Sequence, residues 1–137
     1  MEMNEYFEEG KNKEEAVKKN LQILLNTFLK RNPKCSAAAI ATNEGLPIIY
    51  SISHRVDEVK ISTIAATLFS LSNMALDDMT LGEFKELFIK GKEGYLLVFQ
   101  AGSSVIFMVS TSIDIKLGLI IIECKQICKR IMKIFSG

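Results

Sequence analysis

The sequence predicts an α+β sandwich: a five-stranded antiparallel sheet with helices on both faces, in the order α-β-β-α-β-β-β-α. Three observations predict it. Lys13 to Arg31, Asp57 to Met79 and Asp114 to Phe135 each repeat apolar residues at the three-and-four spacing of a helix. Between them lie five short runs of strand length, and glycine-containing connections join neighbouring runs as hairpins. A chain of 137 residues suffices for one domain with a real core and leaves no room for two.

Residues 1–10 lack clear periodicity and end in Gly10, and are read as a loose lead-in or a short extra turn. In the first helix Val17, Leu21, Leu24, Leu25 and Phe28 form the stripe. Glu14 and Glu15 suit its first turn and Lys30 and Arg31 its last, each complementing the helix dipole, and Pro33 stops it. Cys35 to Thr42 follows, rich in alanine, which only layers pressed close on both faces of an inner strand require. Asn43-Glu44-Gly45 turns the chain into Leu46 to Ser53, where Pro47 is tolerable near a strand start or on an outer side.

The helix over Asp57 to Met79 is the element around which the rest is organised. Ile61, Ile64, Ala65, Leu68, Leu71 and Ala75 are expected to face the core. Thr63, Ala66, Thr67, Ser70 and Asn73 are expected on the outside, where a helix facing only water usually presents Lys and Glu. Short uncharged side chains let a second helix approach closely, so this face predicts contact with another protein surface, most simply the same helix of a second copy. Phe84 to Lys90 alternates with mixed polarity and flanking lysines, as edge strands do, with Phe84, Glu86 and Phe88 on one face and Lys85, Leu87 and Ile89 on the other. Glycine turns then give Tyr95 to Gln100 and Ser104 to Ser110, completing a meander. The last helix carries the stripe Leu117, Ile120, Ile121, Cys124, Ile127, Cys128, Ile131 and Ile134, with Lys125, Lys129, Arg130 and Lys133 outside.

Composition narrows the function classes. Seventeen Lys and Arg against 16 Asp and Glu give no overall charge to draw nucleic acid or an acidic membrane. Apolar residues make up 48%, high for a small domain, which implies apolar surface buried against a partner. The greasy run Leu117 to Ile122 falls far short of the roughly 20 residues that span a bilayer, so no membrane insertion is expected. The acidic N-terminus has no signal-peptide pattern and the three cysteines no framework spacing; a cytoplasmic protein with reduced thiols is expected.

Catalytic chemistry finds little support. His54, the one histidine, sits in a loop before the second helix and reads as solvated. Cys124 and Cys128 share a helical face but lack the spacing and further ligands of a metal site, and read as buried thiols. Asp77 and Asp78 read as a solvated helix end. Gly91 to Gly94 and Ala101-Gly102-Ser103 lie between strands, with no helix behind them to hold a phosphate. The outer basic face of the last helix reads as solvated. No catalytic residue, metal or cofactor is expected. Two rival readings are a small-molecule-sensing or general interaction module of profilin- or PAS-like build, which needs a pocket with convergent polar groups, and a thiol enzyme resting on Cys35.

The phrase Ala38-Ala39-Ile40-Ala41-Thr42-Asn43-Glu44-Gly45-Leu46-Pro47-Ile48 resembles the strand, acidic residue, Gly-Leu-Pro-Ile, strand opening of the Roadblock (dynein light chain) family, which is related to the longin domain. The alanine-bearing helix Ile64 to Ala75, then Gly94-Tyr95-Leu96-Leu97-Val98, Ala101-Gly102 and Leu117-Gly118-Leu119 follow in family order. The chain is similar to a stand-alone, prokaryote-like member, with residues 1–12 as an acidic N-terminal extension and 13–137 as the domain. The resemblance implies a non-enzymatic homodimer, or a dimer with a paralogue, that regulates or scaffolds a Ras-like small GTPase. It implies that Phe84, Lys85, Glu86, Leu87, Phe88 and Ile89 pair with their counterparts while the central helices pack side by side, adding Met74 to the helix face. It implies GTPase contacts at Lys60, Thr63, Thr67 and Asp77. No arginine stands on that outer face, so no inserted arginine finger is expected.

Overall fold

In the computed structural model, which describes residues 2–52 and 57–136, the elements come in the expected order. They are α1 (Glu2–Arg31), β1 (Cys35–Thr42), β2 (Pro47–Ile52), α2 (Glu58–Asp78), β3 (Glu86–Lys90), β4 (Gly94–Gln100), β5 (Val105–Ser112) and α3 (Leu117–Ser136). All strand pairs are antiparallel and the sheet order is β2-β1-β5-β4-β3. β3 is an edge, as its sequence predicts. β1 is interior, with helices on both faces, and β5 takes the middle of the sheet. Pro47 opens the other edge strand, where its missing N–H removes nothing from an inner ladder.

Two apolar layers hold the sheet. On one face Leu21, Leu25 and Phe28 of α1 and Ile120, Cys124, Ile127, Cys128 and Ile131 of α3 pack on Ala38, Ile40, Leu97, Phe99, Phe107 and Val109. The predicted stripes of both helices are those that are buried. On the other face Ala65, with Ile61, Leu68, Phe69 and Leu76, packs on Val98, Ile106 and Met108. Alanines in β1 let both layers close on one strand.

The structure corrects several boundaries. Residues 2–10 are neither a loose lead-in nor a separate short turn but the start of α1, which runs unbroken through Gly10. An isolated glycine weakens a helix by about 1 kcal/mol without ending it, and the glutamates at 5, 8 and 9 favour a helix N-terminus. Among the described side chains, residues 4–6 and 8–16 are all exposed. α3 starts at Leu117, because Asp114 belongs to the preceding turn, accepting from Ser112 Oγ at 2.6 Å and pairing with Lys34 at 3.1 Å. Those contacts, Ser112 first, hold the Asp114 carboxyl below its ordinary value. β3 starts at Glu86, because Phe84 turns to the opposite side of the sheet from Glu86 and Phe88 and meets Phe69 edge-on at 5.4 Å.

A candidate dimerisation and docking surface

α2 is fixed at its start by Asp57, whose carboxylate accepts from the Val59 and Lys60 amides at 3.0 and 3.4 Å. Its rotation about its own axis differs from the expected one. Ile61, Ala65 and Leu68 face the sheet as predicted, but Ile64, Leu71 and Ala75 face outward, and Leu71 is 60% exposed. Ser62 and Ala66 take the inward places instead, with Phe69 half-buried beside them. Two neighbours decide this. The β1–β2 turn leans on the helix, so that a Cβ on Gly45 would stand 3.3 Å from Ala66 Cβ, and Phe84 fills the space under Phe69. Ser62 tolerates burial because its hydroxyl donates to the Glu58 carbonyl at 2.8 Å. Phe69, four residues after Ala65 and seven before Leu76, is the signal in the sequence for the correct stripe.

Gly45 has φ +98°, a conformation an L side chain enters only with strain. Gly45→Ala is expected to lower stability by about 1–3 kcal/mol, through strain and the push on Ala66. A urea unfolding curve checks this, and an unchanged midpoint would show that the turn does not bear on α2.

Of the residues expected at the dimer interface, Thr63, Thr67, Ser70, Asn73 and Met74 are on α2 and reach solvent. Ala66 and Phe84 are not available, since both are buried in the protomer's own core. On β3, Phe88 and Ile89 are exposed, as is Lys85 just before it, while Glu86 and Leu87 are half-buried, Glu86 pairing with Lys125 at 3.4 Å. Lys60, Thr63, Thr67 and Asp77 all reach solvent. Thr63 and Thr67 donate their hydroxyls back to the Val59 and Thr63 carbonyls, each at 2.8 Å, so they show mainly methyl groups to the outside. With Val59, Ile64, Leu71 and Met74 beside them, the outer face is apolar rather than merely small and neutral. By length and composition α2 even meets the requirement for a bilayer span, which the run at 117–122 does not. Its inner side is nevertheless packed on a sheet. α2 lies over β1, β2 and β5, leaving Leu87, Ile89 and Leu96 of the β3–β4 side partly covered.

These sheet, helix and edge-strand relations match a known domain. A family model, the Roadblock/LC7 domain, matches residues 22–111. The chain belongs to the Roadblock/LC7 family. Solved structures agree: a Roadblock/LC7 domain from Streptomyces avermitilis superposes with TM-score 0.79 at 17% identity, covering 85% of this chain and 98% of the other. MglB of Myxococcus xanthus gives 0.80 at 18% identity, covering 85% and 95%, and the gliding protein MglB of Thermus thermophilus gives 0.77 at 15%, covering 87% and 90%. Compared with the curated proteins, the sequence matches none.

Among the described residues, the other candidate sites of this Roadblock/LC7 domain do not assemble. Cys35, Cys124 and Cys128 are free and buried. Burial, and then the charge of Glu123, pushes the Cys35 thiol up to about 11, the reverse of what a nucleophile requires. Burial, followed by Glu86, pushes Cys128 to about 12, and Cys124 is raised by burial and by its Cys35, Cys128 and Glu123 neighbours. Neither the burial nor the raised value lends support to the thiol-enzyme reading of Cys35. His54 lies outside the described residues. Asp77 and Asp78 are exposed at the end of α2. The sheet is less tightly filled than its alanines suggest, for a recess of about 260 Å³ opens beside Ala37, Ala39, Ile52 and Met108. It is smaller than the roughly 300–1,000 Å³ of drug-sized ligand sites, and its hydroxyls, Ser36 and Ser110, bond one another at 2.7 Å.

The raised thiols give stability a direction with pH. Their neutral form is favoured in the fold, so this contribution is complete below pH 9.0, the ordinary thiol value, and is lost as pH rises toward about 11 and beyond. The urea midpoint is expected to fall across that window, less steeply in Cys124→Ala, and iodoacetamide is expected to modify none of the three below it unless the chain unfolds. Rapid alkylation of Cys35 in the native protein would contradict the burial.

Proposed function

We propose that this domain forms a symmetric dimer and that the paired α2 helices present a docking surface to a Ras-like small GTPase, with no chemistry of its own. One observation carries the reading: α2, the helix that closes one side of the sheet, turns Ile64, Leu71 and Met74 to solvent beside an incompletely covered β3–β4 surface and the free edge of β3. A second α2 laid beside the first covers all of these, and two β3 edges pair into a continuous sheet. The partner is the same chain or a paralogue. The greasiness of α2 is that of a protein interface. The protein works in the cytoplasm, where buried reduced thiols are stable. Lys60, Thr63, Thr67 and Asp77 contact the GTPase, and any effect on GTP hydrolysis comes from holding the GTPase's own switch loops.

The experiment is titration of the purified chain with the Ras-like GTPases of its source organism, each loaded with GDP or a GTP analogue. One is expected to bind with nucleotide preference, and Lys60→Glu and Asp77→Lys are each expected to weaken it at least about tenfold, a loss of about 1.4 kcal/mol, with dimer mass unchanged. Equal affinity in both charge reversals would remove these residues from the contact, and no binding by any such GTPase would end the proposal.

A further inference from the structure

Beyond α2 and the β3 edge, two further surfaces of the described chain stand out, and they are complementary. The first is the N-terminal arm of α1. From Glu2 to Ala16 it extends about 22 Å at 1.5 Å per residue, and its described side chains are all exposed. Residues 1–10 contain glutamates at 2, 5, 8 and 9 and no Lys or Arg. Glu5, Glu8 and Glu9 make no ion pair among the described residues. Tyr6, 76% exposed, stands next to Glu9 on the helix surface, three residues on. A helical arm of this length is marginal alone in water and gains most by packing.

The second surface is the groove between α1 and α3, on the side of both helices away from the sheet. It measures about 380 Å³, is floored by Ile23, Leu24 and Ile134, and is rimmed by Arg130 and Lys133. Ile23 is 54% exposed. Lys129, Arg130 and Lys133 crowd adjacent turns of α3 with no carboxylate within ion-pair distance among the described residues, whereas Lys125 is paired with Glu86. Like charges at these spacings repel, and an acidic occupant relieves them. The arm cannot reach the groove of its own chain, because α1 is one continuous helix that carries the arm away from it.

We propose that the arm of one copy seats in the α1–α3 groove of a second copy, and reciprocally, forming an interface separate from α2. Tyr6 lies against Ile23, Leu24 and Ile134, and Glu5 and Glu9 meet Arg130 and Lys133. A rigid aromatic in an apolar floor, ringed by opposite charges, gives both affinity and register.

The test is sedimentation equilibrium on the full chain carrying Leu71→Glu, which removes pairing through α2. This chain is expected to associate to twice the protomer mass at low salt and to dissociate as salt rises. Glu5→Lys/Glu9→Lys and Arg130→Glu/Lys133→Glu are each expected to lower association at least about tenfold, and all four together to restore it. Tyr6→Ala is expected to weaken it at every salt concentration. A single species of protomer mass throughout, indifference to the reversals, or failure of the fourfold variant to recover overturns the proposal. So does binding of the basic face to phosphatidylserine vesicles, lost in Arg130→Glu/Lys133→Glu, with no change of mass in solution.

Discussion

Leu71→Glu, or Met74→Glu, is expected to raise the dissociation constant of the α2-paired dimer by at least about 100-fold, equivalent to about 3 kcal/mol. Each side chain is 60% exposed in the protomer, so the substitution leaves the fold alone. In the proposed dimer the same position is enclosed by the partner's apolar face, and an unpaired carboxylate there costs several kcal/mol in lost hydration. By two-fold symmetry the charge enters twice, close to its own copy. Ser70→Glu and Asn73→Glu, on the flanks of the face, are expected to act in the same direction and less strongly. The measurement is light scattering across a concentration series, with far-UV circular dichroism to show that the protomer remains folded. A dimer as tight as the parent, with Leu71 and Met74 both replaced, would move the interface elsewhere.

The largest effect on stability is expected from Phe107→Ala, at about 3–5 kcal/mol. Phe107 is fully buried on β5, the middle strand, and its ring meets Phe28 of α1 edge-on at 5.9 Å and Phe99 of β4 at 6.3 Å. Removing it opens a void bounded by a helix and two strands that cannot all close in, against a total stability of about 5–15 kcal/mol for a domain of this kind. Phe88→Ala, on the edge strand and 39% exposed, is expected to cost less than half as much, because water already reaches that ring. Urea midpoints of the two variants, compared at equal slope, decide the matter; equal losses would place the centre of the core elsewhere.

The element order, the two stripes of α1 and α3, the edge character of β3 and the inner position of the alanine strand are legible in the residues alone. Each follows from a local rule, helical spacing, strand alternation or glycine turns, that no distant contact here opposes. Burial of the thiols followed in the same way for Cys124 and Cys128, which lie on a regular stripe, but not for Cys35, at the start of a strand, where Glu123 and Cys124 of the remote α3 stand near it. Which way α2 faces is set instead by packing. With apolar residues spread over more than half its circumference, two stripes are available, and the choice falls to Gly45 leaning on Ala66 and Phe84 rising under Phe69, contacts between residues remote in the chain. The same holds for the N-terminal arm, whose helix propagates from the packed turns of α1, and for the α1–α3 groove, whose floor and rim come from helices at opposite ends of the sequence. Periodicity shows that a face exists; which face is covered depends on what the rest of the chain brings to it.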